Sequence, residues 1–460
     1  MPATRGAAMT DWDRVRALWP DHLGLARGKY LPARLAHKGT SHCVTVFGLG
    51  YDRSMAPAPG AYLLDGLPDT QISFDTADIR QGWDDDATGV VIGDLSMHGE
   101  ALPESSRGAL RRAVTDWETL GYTPKVGIEL EAYVFSGGLE DPRPYETPRS
   151  MVYGTGVGSD PAGVVTKLVR RAEASGIAME SVNAEYDEGQ FELTLEYGDA
   201  MWAADNAFLF RLLARETVLT ATDAAGQPLG LDLTFLGKPF PGISGTGVHV
   251  NFSLADAHGD NAMSDSDGAH GMSDLARGCM AGLVHHHRGM TALAAPTVNA
   301  YRRLRPGELN GYWANWGVEH RCAGNRVPRG AGPHMRIESR IGDGAANVHT
   351  LIAAVLQAAR LGMVGGLDCP EPMTTDGFDD VNTDVHCAHS LSEALDEMEA
   401  DEALCEAVGK ELCDNFVFNK RAEWDRYIAG AGDEAVDDWD AIGGTEPLLE
   451  WELKQYLPYH

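Results

Sequence analysis

Four short stretches of this chain alternate apolar residues with residues that can hold metals or anions. In VGIELEAYVF (126–135), Ile128, Leu130, Ala132 and Val134 fall on one face and Glu129 and Glu131 on the other, because successive side chains of a strand point to opposite sides. GQFELTLEY (189–197) sets Glu192, Thr194 and Glu196 against Phe191, Leu193 and Leu195. TGVHVNFSL (246–254) sets His249, Asn251 and Ser253 against Val248, Val250 and Phe252, and MRIESRI (335–341) alternates Arg336, Glu338 and Arg340 with Ile337 and Ile341. One such strand alone describes a sheet with a solvated polar face. Four of them supply several carboxylates, an imidazole and flanking arginines. Facing one another, the carboxylates cannot all stay ionised without counter-charge, and divalent cations are the natural partner. Oxygen-rich ligation with one histidine suits Mg²⁺ or Mn²⁺ better than zinc. Arginines beside such a centre point to an anionic substrate, a polyphosphate or a carboxylate.

The elements that position these strands are spread over 460 residues, enough for two or three domains or one large catalytic domain with an appendage. Residues 41–95 carry short β-like runs, CVTVF (43–47) and GVVIGDL (89–95), between turns rich in Gly, Pro and Asp. A helix is predicted over 106–121, opened by Ser105 or Ser106. From residue 125 strands alternate with helical stretches at 161–175, 200–225, 273–293 and 346–362, the pattern of an α/β or α+β catalytic domain. The polar, Gly-rich 255–272 reads as a surface loop, and helices resume at 391–404 and about 405–430. The apolar stretch 346–367 is interrupted by Asn347, His349, Gln357 and Arg360, which makes it a core helix rather than a membrane span. GTGVGS (154–159) lacks the lysine of a phosphate loop and the spacing of a dinucleotide fingerprint, so it reads as a flexible loop. His285, His286 and His287 point in different directions along a helix and cannot chelate together.

Composition narrows the function further. The chain has 37 Lys+Arg against 68 Asp+Glu, a formal charge of −31, which argues against nucleic acid and against an anionic membrane as partners. With 43% apolar residues it is globular. Lysines number 8 and arginines 29, and so acidic and Lys-poor a surface suits a protein kept soluble in high salt, a halophilic reading. Seven scattered cysteines without a C-x-x-C pair read as reduced thiols, and the N-terminal residues have no apolar signal-peptide region. Both features predict a cytoplasmic protein.

GIELEAYVF, ESVNAEYDEGQFEL, KPFPGISGTGVHVNFSL (238–254), NAYRRLRPG (299–307), WGVEHR (316–321) and RIESR (336–340) resemble, in order and approximate spacing, the signature blocks of the glutamine synthetase family. LGLARGKYLP (23–32) and KRAEWDRY (420–427) extend the resemblance over nearly the whole chain. It implies an α+β fold: an N-terminal β-grasp domain (1–105) and a catalytic domain of curved antiparallel strands flanked by helices (106–460). It also implies homo-oligomers of stacked rings, usually dodecamers, with active sites at subunit junctions. By matching positions, Glu131, Glu185 and Glu192 would hold one metal, and Glu129, His249 and Glu338 a second nearer the phosphates. Glu180, Asn251, Ser253, Arg326 and Arg336 fall on ATP-contacting positions. Gly245, Arg303, Arg321 and Arg340 fall on positions that hold glutamate or the transferring phosphate, the three arginines being the catalytic ones. The implied chemistry is ligation in two steps, glutamate to γ-glutamyl phosphate at the expense of ATP and then displacement of phosphate by ammonia or an amine.

Several positions depart from the ammonia-using pattern. Ser244 stands where that branch has a substrate-holding Asn, Asn251 replaces the second imidazole of an H-x-H pair, and His320-Arg321 replaces Asn-Arg. At the flap position of an acid that helps deprotonate ammonium the chain has Leu309, with Glu308 one residue early. The wording is closer to the γ-glutamylpolyamine synthetase-like branch, whose nucleophile is an organic amine, and an apolar residue could line a larger amine's channel. Two alternatives remain: Glu308 shifts into the acidic role and only ammonia is used, or the chain is a non-catalytic paralogue. Asp52 is a loose match to an ammonium anchor donated by a neighbouring subunit.

Overall fold

The computed structural model describes residues 12–58, 62–328, 332–431 and 450–460. Most of the N-terminal stretch read above for a signal peptide lies outside the described residues. The described residues between Arg14 and Ala101 include two four-stranded sheets. In the first, Arg14–Pro20 pairs antiparallel with Ala26–Pro32 and parallel with Thr88–Ile92. The second joins Thr40–Cys43, Asp69–Ser73, Asp94–Met97 and Glu100–Ala101, all antiparallel. The GVVIGDL run is therefore two strands in different sheets, divided at Gly93, where an added Cβ would meet Ile72 Cγ2 at 2.2 Å. CVTVF is not a strand beyond Cys43. Val44–Gly48 turns into a 3₁₀ helix that buries Val44 and Phe47, so local β propensity yields to burial of those two side chains.

The main sheet has ten strands. Its axis is the long strand Thr123–Ser136, flanked on one edge by Gln190–Leu195 and on the other by Val248–Ala255. Met179–Ala184 lies outside the first neighbour, and Ile337–Ser339, Asn325–Val327 and Trp316–Val318 continue outside the second. All these pairings are antiparallel except the last, where Trp316–Val318 runs parallel to Asn325–Val327. The alternation predicted for the central strand holds: Val126, Ile128, Leu130 and Ala132 are buried while Gly127, Glu129 and Glu131 are half-buried.

The apolar face packs against helices, among them Ala200–Leu219, and the core continues into the first N-terminal sheet through Leu18, Val90 and Ile92, with Trp83 beside them, while Ile72, Leu95 and Met97 of the second sheet belong to a separate cluster. Helix Ser106–Thr119 begins as predicted, with the Ser105 side chain accepting a hydrogen bond from Gly108 N. Val348–Gly365 is the one described helix long and apolar enough to cross a membrane. Here it is a core helix, with Trp117 donating to its Leu356 carbonyl at 3.0 Å. The predicted helices at 273–293 and 391–404 are each broken, the first at His286 and the second at Asp401. The breaks share a cause: His286 Nδ1 donates to Asp401 Oδ2 at 2.7 Å, and Asp401 also caps the N-terminus of Glu402–Val408.

Helix Asp274–His285 crosses Val348–Gly365 with almost no side chain between them. A Cβ on Gly362 would meet Gly282 N at 2.2 Å and Gly282 Cα at 2.3 Å. Gly362→Ala is thus expected to destabilise the fold by about 1–3 kcal/mol through overpacking, seen as a lower thermal unfolding midpoint. An unchanged midpoint would show that the two helices can separate at no cost.

Candidate functional site

Strand register draws the polar faces into one band across the main sheet. Glu131 lies opposite Glu192, and Glu129 lies between Thr194 and His249. Asn251 lies between Gly127 and Glu338, and Glu338 lies opposite Arg326. Same-face residues directly opposite one another in antiparallel pairs are close neighbours, so the band concentrates four carboxylates and one imidazole. His249 Nδ1 donates to Glu129 Oε2 at 3.0 Å, and Asn251 Nδ2 donates to Glu129 Oε1 at 2.9 Å. Gly247 N donates to Glu131 Oε2 at 2.8 Å. Arg326 Nη1 donates to Glu338 Oε2 at 2.7 Å, and Arg340 Nη1 donates to the other oxygen of that carboxylate.

The protonation of these acids is uneven for stated reasons. For Glu129, burial opposes ionisation but the hydrogen bonds from His249 and Asn251 and the charge of Arg340 outweigh it, and its carboxyl is lowered to about 2. Glu338 is likewise lowered, with Arg340 prevailing over burial. Glu192 is pushed up to about 7 by burial and then by the charges of Glu129 and Glu185. Glu185 is raised by burial and by Glu131. Glu192 and Glu185 therefore lack the positive charge that Glu129 and Glu338 already have.

That imbalance fits bound cations. Glu129, His249 and Glu338 each offer a ligand atom within 4.8 Å of the others'. Glu131, Glu185 and Glu192 share one wall of a cavity of about 720 Å³. Hard oxygen donors with a single imidazole are a set for Mg²⁺ or Mn²⁺. Gly245, Arg303, Arg321 and Arg340 lie on the wall of the same cavity, together with Glu308 and Leu309. A second cavity, of about 360 Å³, is lined by Glu129, Glu180, Asn251, Ser253 and Arg336. Arg336 Nε donates to Asn251 Oδ1 at 3.0 Å. The residues predicted for glutamate thus line one cavity and four of the five predicted for ATP line the other. The fifth, Arg326, is set back against Glu338. Asp52 lies away from both cavities, paired with Arg426 at 3.1 Å.

Other residues of the site escaped the strand-by-strand reading. The Ser244–Gly247 strap is held from three sides: Asp187 Oδ2 accepts from Ser244 N at 2.7 Å, Tyr133 donates to the Ser244 carbonyl at 3.0 Å, and Gln190 Nε2 donates to the Gly245 carbonyl at 2.9 Å. A Cβ on Gly245 would meet Arg303 Cγ and Gly237 O, each at 2.6 Å, so only glycine fits there. Arg303 donates through Nη2 to the carbonyls of Ile341 (2.8 Å) and Gly342 (2.7 Å) and through Nε to Asp343 (3.3 Å), which leaves Nη1 toward the strap. Lys238, Tyr153, Tyr186, Tyr312 and His389 also line the larger cavity. Gln190 belongs to the GQFE run and was available as a signal; the cavity-lining residues from loops carry no periodicity to reveal them. The triple histidine divides its contacts as expected, His286 bonding Asp401 and His287 lying near the Tyr312 carbonyl.

The chain is similar to known proteins in sequence and in fold. Residues 103–441 match the family model for the glutamine synthetase catalytic domain. A glutamine synthetase of Clostridium saccharobutylicum is 31% identical over 78% of this chain and 77% of its own. A γ-glutamylethanolamide synthetase, GlnA4, of Streptomyces coelicolor is 29% identical over 94% of this chain and 92% of its own. The solved structure of ligand-free GmaS superposes with a TM-score of 0.81 at 25% identity, covering 95% of this chain and 98% of that one.

The raised Glu192 gives a pH-dependent expectation. A carboxyl lifted to about 7 is largely protonated at pH 6 and largely ionised at pH 8, and a cation binds the ionised form. Mn²⁺ affinity measured calorimetrically should therefore fall by up to about tenfold from pH 8 to pH 6, with proton release on binding near pH 7. Glu192→Gln should flatten that dependence. A wild-type affinity that does not change with pH would contradict the shared-carboxylate geometry.

Proposed function

We propose, given that the chain belongs to the glutamine synthetase family and is an ATP-dependent ligase joining the γ-carboxylate of glutamate to ammonia or an amine, that its nucleophile is an organic amine. The observation that carries this is Leu309: it lies on the wall of the larger cavity, 52% exposed, with its carbonyl accepting from Arg340 Nη2 at 3.1 Å. An apolar side chain there cannot capture and deprotonate ammonium, but it can pack against a carbon substituent. The name of one relative, γ-glutamylethanolamide synthetase, supports that reading. Ammonia-only use has one observation in its favour, Glu308 on the same wall. A non-catalytic role is disfavoured because all six expected metal ligands are retained.

The assignment of roles follows the two cavities. ATP occupies the smaller one, against Glu180, Asn251, Ser253 and Arg336, with Arg326 supporting Glu338 behind it. Glutamate occupies the larger one, against Gly245, with Arg303, Arg321 and Arg340 offsetting the charge of its carboxylates and of the transferring phosphoryl group. Mg²⁺ or Mn²⁺ held by Glu131, Glu185 and Glu192 and by Glu129, His249 and Glu338 would screen the phosphates and polarise the γ-phosphoryl group. The γ-carboxylate oxygen attacks the γ-phosphorus, the bond to the β-phosphate oxygen breaks, and ADP leaves. The nitrogen of the amine, as its free base, then attacks the acyl carbon of γ-glutamyl phosphate, the C–O bond breaks, and the nitrogen passes its excess proton to the departing inorganic phosphate. Position and charge supply most of the acceleration.

The proposal extends to the whole molecule. We assign residues 1–105 to a β-grasp unit and 106–460 to the catalytic one, acting in the cytoplasm in stacked rings with sites at subunit junctions. The acidic excess is assigned to a surface adapted to strong salt.

The test is phosphate release from ATP with Mg²⁺ and glutamate in high KCl, scanning ammonium against organic amines. An organic amine should be the best acceptor, and turnover with ammonium alone would refute the choice of nucleophile. Glu338→Gln should abolish turnover without changing the oligomer. Leu309→Glu should raise the ammonium-dependent kcat/KM by about tenfold or more, as a gained proton acceptor would; an unchanged value would count against the role given to Leu309.

A further inference from the structure

Part of the wall of the larger cavity is open and apolar. Val152, Tyr153, Tyr186 and Leu309 converge on it from three separate segments, and Tyr153 and Tyr186 are 64% and 77% exposed. Scattered exposed apolar residues need no explanation, but a set gathered on a cavity beside convergent polar groups is the anatomy of a small-molecule site. Tyr153 adds a second observation. Its backbone sits at φ 62°, the left-handed region that a bulky L-residue rarely adopts. The chain holds it there: Tyr153 N donates to the Ala184 carbonyl at 2.8 Å, and Ala184 N donates to the Gly154 carbonyl at 3.1 Å. Ala184 immediately precedes Glu185 and Tyr186, so the strained tyrosine is fastened to the strand end that carries a proposed metal ligand. Strain kept where glycine would be comfortable marks a side chain that is used.

Charge in the same cavity restricts what that surface can take. Lys238 and Arg321 are among its lining residues. Beyond Glu131, Glu185 and Glu192, the carboxylate among the described lining residues is Glu308, and its charge acts on Lys238, opposing the effect of that lysine's burial. Within one subunit, a diamine's second ammonium would meet Lys238 and Arg321, with Glu308 as the carboxylate beyond the three proposed ligands. A hydroxyl-bearing tail would find no hydrogen-bond partner on the Val152 and Leu309 side chains of that surface.

We infer that the acceptor is a primary monoamine with an apolar or aromatic substituent, seated against Tyr153, Tyr186 and Leu309. This rests on the organic-amine reading above and narrows it: polyamines and short amino alcohols are the poorer substrates, and the two tyrosines set the selectivity.

The experiment is steady-state phosphate release by the full-length protein in its native assembly, at saturating ATP and glutamate, with isobutylamine, benzylamine, ethanolamine, putrescine and ammonium. Isobutylamine or benzylamine should exceed ethanolamine and putrescine in kcat/KM by about tenfold or more, the discrimination a few buried methylenes provide. Tyr153→Gly and Tyr186→Ser should each lower that ratio about fivefold through the amine KM, leaving the glutamate KM nearly unchanged. Because glycine accepts the left-handed backbone freely, Tyr153→Gly should unfold at a temperature no lower than the wild type, which separates lost selectivity from lost structure. Preference for putrescine or ethanolamine, or a ratio unchanged in both variants, overturns this inference while leaving an organic-amine ligase standing. Turnover with ammonium alone overturns both.

Discussion

The structure turns on one electrostatic constraint: glutamates from adjacent strands are placed side by side on a sheet face and cannot all be ionised unless positive charge is brought to them. The protein meets half of this demand itself. Glu129 is satisfied by His249 and Asn251, and Glu338 by Arg326 and Arg340. The other half, at Glu185 and Glu192, is left to a ligand, and it shows as acids raised above their ordinary range. Such a site is built to be completed by cations and then by the anions those cations attract.

Much of the surrounding fold serves to keep that arrangement rigid. The apolar residues alternating with the glutamates are fully buried against helices, so a one-residue slip would move carboxylates into the core and is excluded by cost. The Ser244–Gly247 strap is tied by Asp187, Tyr133 and Gln190, and Arg303 is fixed by two backbone carbonyls and Asp343. Groups held in this way need little reorganisation when charge develops, which is where electrostatic catalysis gains its advantage.

The alternating strands were legible because their period is two and their polar residues are chemically unlike a solvated surface. Their lateral order was not: that Glu131 faces Glu192 and His249 faces Glu129 depends on register, which sequence spacing does not encode. The helix breaks at His286 and Asp401 were hidden for a related reason, since each segment reads as continuous helix and the bond that interrupts both spans 115 residues. CVTVF misled because β-branched residues also suit a buried 3₁₀ turn. Tyr153, Lys238 and His389 come from loops or loop ends and have no pattern to announce them. Net charge was informative about solvent and misleading about substrate: a chain of −31 gathers arginines and Lys238 around a cavity suited to anions.

The central claim is that the carboxylate band and its arginines activate glutamate as an acyl phosphate before the amine takes part. Positional isotope exchange tests it most directly. ATP labelled with ¹⁸O in the β–γ bridge is incubated with the protein, Mg²⁺ and glutamate, with no amine present. If γ-glutamyl phosphate forms reversibly, the bridge label must scramble into the non-bridging β-phosphate oxygens, and only when glutamate is present. A label that stays in the bridge with glutamate bound, while addition of amine still yields amide, would contradict the account.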